Sequence, residues 1–450
     1  MNTKIFYPCV RHVPWRVVLV FCSALLAPFA AQADDLLSLY REAQYKDAAY
    51  LAAQADTAAQ RELLPQARAQ LLPNLSFTAS RGRNSTEQKS GGTKSERDYN
   101  SRNDALSLRQ AVFRPRAFAH WRQAHAQVDS AEATLAWAGQ EVALRLGTAY
   151  FDVLLAQAEV EVNHSQQEAC RIQLDYAQRA FKAGSGTRTD IDEARAQFDL
   201  TEARAIELQY QLDYNRDVLQ SLVDRPLGNI AVLNPARLLL SLPEPAQLEA
   251  WIQQAEAAHP QLAALRAQVS AREEEVAKAR AGHLPTVDLI AQHTKSESDG
   301  NNNIGAKYDT NMIAIQLAIP LFAGGEVNAT VRQALAELDK TRQQLEATRR
   351  QTGLQVRQAF DGVVQGMHWV RAYEQAVKSA EQSLLSTKKG FQAGTRNTVD
   401  ILNAEQTLAA ARRDLNRGRY QYILSRLRLV AMVGRLDEME ISRVNAWLVM

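Results

Sequence analysis

Three cysteines in 450 residues are too few for a disulfide framework, and no Cys-x-x-Cys pair is present to hold zinc or run thiol exchange. Proline is scarce too, at 13, and glycine stands at 20, so long stretches can run as helix without interruption. Neither sign of charge dominates: 52 basic side chains face 50 acidic ones, a net charge of +2, which excludes a global field for nucleic acid. Beyond residue 33 no run of about 18 uninterrupted apolar residues occurs, which excludes a membrane-spanning helix there. Enzyme signatures are missing as well. There is no Gly-x-Ser-x-Gly elbow and no phosphate-cradling glycine loop. His120 and His125 are five apart and do not share a helix face as paired metal ligands would. No catalytic residue, metal or cofactor is expected.

What is present suits a folded, helix-rich chain: 46% apolar and 23% charged residues, with abundant Ala, Gln, Leu and Arg. Residues 1–33 carry Lys4, Arg11 and Arg16 and no acid, then an apolar run from Val17 to Ala31 and the tripeptide Ala31-Gln32-Ala33. That pattern predicts a secretory leader cut between Ala33 and Asp34. Pro28 interrupts the run and argues against an anchor helix, and Phe21 before Cys22 is too large for a lipidation box. Cleavage leaves Cys170 as the only cysteine, read as a small packing residue.

The remaining chain reads as one unit written twice. Leu72-Pro73 recurs as Leu284-Pro285, Phe113 as Phe322, Phe151 as Phe360, Phe181 as Phe391, Asp190-Ile191 as Asp400-Ile401, Tyr210-Gln211 as Tyr420-Gln421 and Arg225 as Arg435. The spacings stay between 209 and 212, far too long for a solenoid repeat. The division that follows is 1–33 leader, 34–224 first repeat, 225–245 linker, 246–435 second repeat and 436–450 tail.

Each repeat predicts a helical lead-in, a β-hairpin and a long helix pair. In the first, the lead-in runs as one segment from Leu36 to Gln70. Leu75, Phe77 and Ala79 then alternate with polar residues, a polar loop spans Arg81 to Asn100, and Leu106, Leu108 and Val112 alternate in a second strand. In the second, Val287, Leu289 and Ala291 form one strand, Lys295 to Lys307 a loop, and Ile313, Ile315, Leu317 and Ile319 the cleanest alternation in the chain. About ten residues per strand suits a tilted crossing of a bilayer. From Arg116 to Ala183 there is no proline, and Val128, Leu135, Val142 and Ala149 lie seven apart beside a second line, Leu146, Val153 and Val160, the seam of a coiled coil. Gly184-Ser185-Gly186 breaks this helix, and Thr189 to Val223 returns. Ala393 to Arg396 turns the second pair, and its return helix carries Ile401, Leu408, Leu415, Tyr422 and Leu429 at the same spacing.

A secretory leader, no later spanning helix and four amphipathic strands point to an outer membrane. Four strands cannot close a barrel, and open edges do not occur in lipid. Three pooled copies would supply twelve strands, an even number in the usual range. The fold class is therefore mostly α with a membrane β-barrel portion, with a long antiparallel coiled-coil helical barrel. The other possibility is a periplasmic coiled-coil scaffold or adaptor that never enters lipid. The row Ile313, Ile315, Leu317, Ile319 favours the barrel, because such a face would be an aggregation hazard in water.

Leu71-Leu72-Pro73-Asn74, Ile319 to Gly325 (Ile-Pro-Leu-Phe-Ala-Gly-Gly), Phe181 to Gly184 and Phe391 to Leu402, in this order and with the repeat, resemble the TolC family of outer-membrane channel-tunnels. The resemblance implies a homotrimer sharing a twelve-stranded barrel in outer-membrane lipid, with a helical tunnel in the periplasm. Such a protein is an exit duct for type I secretion or for efflux of small compounds, and it docks through a periplasmic adaptor to an inner-membrane ABC or proton-driven pump. It also implies a closed tip that opens by untwisting of the helix pairs. Gly184, Gly186, Gly394 and Thr395 would form the turns. Arg396 would tie the second turn to Thr189 and Asp190, and Asp400 with Asn403 would ring the entrance. Phe391 stands where many members carry an aromatic hydroxyl, and Asn403 carries no charge, so this entrance is less acidic than one with two aspartates. Asp190 and Asp400 also read as helix caps following their turns. Glu273-Glu274-Glu275 reads as a solvated charge run, and Arg412, Arg413, Arg417, Arg419, Arg426 and Arg428 as helix-surface charges rather than a nucleic-acid patch.

Overall fold

A computed structural model describes residues 34–298 and 306–449. The expected leader, residues 1–33, and the end of the second hairpin, residues 299–305, lie outside the described residues. The chain opens with α1 (Leu36–Lys46), α2 (Ala48–Arg61) and α3 (Leu63–Ala69). The single lead-in helix expected from Leu36 to Gln70 is thus three. Asp47 is extended and its carboxylate caps α2 by accepting from Tyr50 N–H at 2.7 Å, which ends α1 one residue earlier.

The first hairpin is β1 (Asn74–Ser90) and β2 (Thr93–Phe113), of 17 and 21 residues. The loop expected from Arg81 to Asn100 is therefore mostly strand. Gly91 and Gly92, at φ 57° and 84°, make a two-residue turn in which both positions are left-handed. Backbone pairing continues to Ser90–Thr93 although neither face stays apolar, and that is why alternation failed to report it. The second hairpin is β4 (Thr286–Ser298) and β5 (Ala306–Ala318), 13 residues each, again longer than expected. The four strands form one antiparallel sheet in the order β1-β2-β4-β5. Its two outer strands, β1 and β5, have open edges.

Pro115 at the first turn starts α4 (Pro115–Lys182), 68 residues or roughly 100 Å long. It returns as α5 (Arg188–Val223). The second pair is α8 (Glu326–Gln392), 67 residues, and α9 (Thr398–Met432). Ile401, Leu408, Leu415, Tyr422 and Leu429 are all buried, as their spacing predicts. Between the pairs lie α6 (Leu248–Ala258) and α7 (Pro260–Arg280). Side by side, α4 packs on both α5 and α9, and α9 on α8, so α5 and α8 are the outer helices of this layer. The largest core joins Tyr150, Phe151 and Leu146 of α4 to Tyr422, Ile423 and Leu427 of α9, with Leu36 and Leu39 of α1. There β3 (Val232–Leu233) pairs with β6 (Leu448–Val449), which follows α10 (Glu438–Asn445). Arg225 binds Asp34 at 2.6 Å and Glu42 at 2.7 Å, tying the start of the described chain to the end of α5.

Candidate gate at the helix turns and the outward face of the sheet

The two turns at the free ends of the helix pairs are built alike. Gly184 and Gly394 stop α4 and α8 at φ 77° and 76°, a conformation a side chain would strain. In each turn the next residue folds back: Ser185 N–H donates to Ala180 O at 3.0 Å, and Thr395 N–H to Gly390 O at 2.9 Å. Thr395 Oγ1 adds a bond to the same oxygen at 3.0 Å. Gly186 is held close, since a Cβ there would meet Phe181 N at 3.0 Å. Its counterpart, 210 residues on, is Arg396.

Asp190 and Asp400 are capping residues, but not in the place expected. The caps are Thr187 and Asn397, and the aspartates are the reciprocal partners three residues in. Thr187 donates to the Asp190 carboxylate from N–H at 2.8 Å and from Oγ1 at 2.7 Å, while Asp190 N–H returns to Oγ1 at 3.1 Å. These bonds hold the Asp190 carboxyl below the usual carboxylate range. Asn397 N–H donates to Asp400 at 3.0 Å, and Asp400 N–H returns to Asn397 Oδ1 at 2.8 Å.

Within one chain Arg396 does not reach Thr189 or Asp190. Its ion-pair partner is Asp400, one turn along α9, at 3.6 Å. Thr189 is exposed. Asn403 is exposed beside the turn, and its carbonyl accepts from Thr407 Oγ1 at 2.8 Å. Phe391 packs edge-to-face on Tyr176 of α4, ring centres 5.2 Å apart, so its ring joins the two helix pairs by contact rather than by a hydrogen bond. Behind it Ala380, Leu384, Ile401 and Leu408 form a small core of the second pair alone.

At the far end, cross-strand register sorts the sheet into two faces. Leu75, Leu108, Ala291 and Ile313 lie in one row, and Leu289 with Ile315 in the next. A bulge between Ala111 and Phe113 re-aims the latter, so Phe113, Val287 and Leu317 complete a third. Ile313, Ile315 and Leu317 are 81%, 75% and 58% exposed, and Ile319, just past β5, is 55% exposed. No helix among the described residues is long and apolar enough to cross a membrane.

The opposite face meets the helices through a charge cluster that the sequence did not disclose. Asp288 is 3% exposed and is bound by Arg109 at 2.9 Å and by both arms of Arg114, at 2.8 and 2.6 Å. Arg114 is also the residue before α4, so the carboxylate fixes where the strand becomes helix. The glutamate run is solvated at Glu273 and half-buried at Glu274 and Glu275, and each acid also has a partner on a neighbouring helix. Glu273 takes Arg342 of α8 at 2.7 Å, Glu274 takes Arg122 of α4 at 2.9 Å, and Glu275 takes Gln123 of α4 at 2.6 Å. The three acids brace α7 between its two neighbours. Arg412, Arg417 and Arg419 similarly pair with Glu381, Glu159 and Glu374 on adjacent helices.

Comparison with known proteins places this architecture. The family model described as outer membrane efflux protein matches twice, over residues 39–223 and 251–435. The alkaline protease secretion protein AprF of Pseudomonas aeruginosa is 36% identical, covering 92% of this chain and 88% of that protein. The proteases secretion protein PrtF of Dickeya chrysanthemi is 31% identical, covering 96% and 95%. Among solved structures, the outer membrane protein VceC of Vibrio cholerae superposes with a TM-score of 0.78 over 89% of this chain and 97% of that one, at 19% identity, a likeness of fold. The chain belongs to the outer membrane efflux protein family, and it is an outer-membrane channel of the secretion and efflux type whose helices stand in the periplasm.

Proposed function

We propose that three copies close one twelve-stranded barrel and one helical tunnel, and that the assembly is the exit duct of a type I protein secretion system. It docks through a periplasmic adaptor to an inner-membrane pump. The observation that carries the trimeric barrel is the four-stranded sheet with open edges at β1 and β5 and an apolar outward face. Edge groups left unpaired in hydrocarbon cost several kcal/mol each. Pairing β5 of one copy with β1 of the next removes every edge. The helical layer supports the same assembly, because its outer helix α5 exposes Leu200, Ile206, Tyr210 and Tyr214, and α8 exposes Leu354 and Leu385. The secretion role rests on the two protease-secretion relatives.

The gate follows from the same order. With α8 of one copy beside α5 of the next, the turn carrying Arg396 faces the start of the neighbouring α5. There Thr189 and Asp190 can accept its guanidinium, an arrangement the single chain leaves open. Three copies of Asp400 around the axis, with Asn403 beside them, favour cations. Planar-bilayer recording of the purified protein tests this. Wild type gives small, cation-selective currents, and Arg396→Ala enlarges them. Identical currents sink the assignment of Arg396, and a soluble oligomer that never inserts sinks the barrel. Substituting this chain for AprF separates cargo classes: extracellular protease returns if the duct serves protein secretion.

A further inference from the structure

Followed away from the helices, the outward face of the sheet changes character within two rows. Its last apolar pair on the first hairpin is Phe77 with Leu106. The next row holds Ala79, Asp104, Lys295 and Asp309, and the one beyond it Arg81, Arg102, Glu297 and Lys307. Arg83, opposite Asn100, comes next. Arg81, Arg83, Asn100, Arg102 and Glu297 share outward parity and line a cavity of about 450 Å³.

Among the described residues that line this cavity, three arginines face one carboxylate, Glu297. Arg81 and Arg102 divide a single carboxylate, Asp104, at 2.6 Å each. Arg83 approaches Asp98 only to 4.0 Å, beyond hydrogen-bond reach. Glu297 is engaged by Lys307 at 2.7 Å. Among the described residues, three guanidinium forks thus share two carboxylates, Asp104 and the more distant Asp98.

The depth of the cavity identifies the ligand. At about 3.4 Å per residue and a tilt near 45°, the Arg81–Arg102 row stands roughly 10 Å above Phe77 and Leu106. Headgroups begin where the apolar band ends and fill about 5–8 Å beyond it, and arginine stems from this row reach back into that layer. At the helix-side end of the same face, Leu317 of β5 and Ile319 just past it are exposed apolar residues. We propose that this cavity binds the phosphate of an anionic lipid headgroup in the outer leaflet. Guanidinium forks match phosphate oxygens in pairs, which a plain cationic belt would not require. The proposal rests on the reading of the apolar face as lipid-facing.

The test uses the full chain in detergent and native mass spectrometry. It compares lipid A with its dephosphorylated form and with inorganic phosphate alone. Wild type retains the phosphorylated lipid about tenfold better than the dephosphorylated one, the value of one lost charge-assisted contact. Arg83→Gln with Arg102→Gln removes that preference. Lys89→Gln with Lys94→Gln, the same loss of charge at the hairpin tip, leaves it intact. No phosphate preference in wild type, or equal loss in both double variants, overturns the site; the first readout needs no variant to fold. Inorganic phosphate binding as tightly as the lipid overturns the headgroup as its source. A protein that inserts and conducts yet shows no preference fails here alone, whereas one soluble without detergent fails the lipid-facing reading itself.

Discussion

The two helix turns share one backbone and carry different side chains. Gly184 and Gly394 share a left-handed backbone, Ser185 and Thr395 fold back on the helix in the same way, and Asp190 and Asp400 close the same capping box. They part at Gly186 and Arg396. The first is closed in by Phe181 and Ala180, while the second carries an exposed guanidinium. The glycine stop and the reciprocal aspartate that satisfy the backbone are kept between the halves, whereas an arginine stands in the second turn where the first has a glycine. On the proposed gating role of Arg396, a duplicated unit separates folding requirements from functional ones within a single chain.

The largest way to break that comparison is Arg396→Gly, which makes the second turn like the first. Losing a charge-assisted contact of about 1.5–3 kcal/mol per copy raises the open population by an order of magnitude or more, read as single-channel conductance. Gly394→Val follows. A β-branched residue at φ 76° costs about 1–2 kcal/mol, and Gly184→Val should cost the same, so matched losses in thermal stability would show the turns to be equal as backbone. Asp190→Ala and Asp400→Ala each remove a capping box, about 1 kcal/mol, but only Asp400→Ala should also weaken cation selectivity.

The smallest effect is in pH. The Asp190 carboxyl is held below its ordinary value by Thr187, so the unfolded chain takes up its proton first as the solution is acidified. The stabilisation is complete above the ordinary carboxylate range and fades as pH falls below about 4. Its fading should vanish in Thr187→Val, checked by melting curves between neutral and acid pH. His259 adds a contrast far from the tips: burial lowers its pKa to about 4, so stability from the neutral ring fades between about pH 6.5 and 4 and should persist in His259→Asn.

The sequence disclosed the helical part well because its signals are periodic. Five residues seven apart on α9 are all buried, and the glycines at both turns are where the chain reverses. The hairpins were legible only while one face was apolar. Beyond Ala79 both faces carry polar groups, alternation disappears, and a paired strand reads as loop. Asp288 and the Glu273–Glu275 run were missed for another reason. Their partners lie 69 to 179 residues away, and charge composition alone cannot say which helix a carboxylate will face. The Arg396 pairing sits at the edge of what one chain can show, since its expected acceptors stand on a helix at the opposite side of the layer.

The near-equal lengths of α4 and α8, 68 and 67 residues, and of α5 and α9, 36 and 35, also restrict how this protein can change over generations. Deleting seven residues from one long helix would shift its turn by about 10 Å and leave the rim uneven. A shorter or longer duct is reachable only if all four helices lose or gain residues together, in steps that keep the heptad phase. Variation should therefore gather in the hairpin ends and spare the helix lengths, so that the repeat serves as a ruler that mutation can rewrite only in concert.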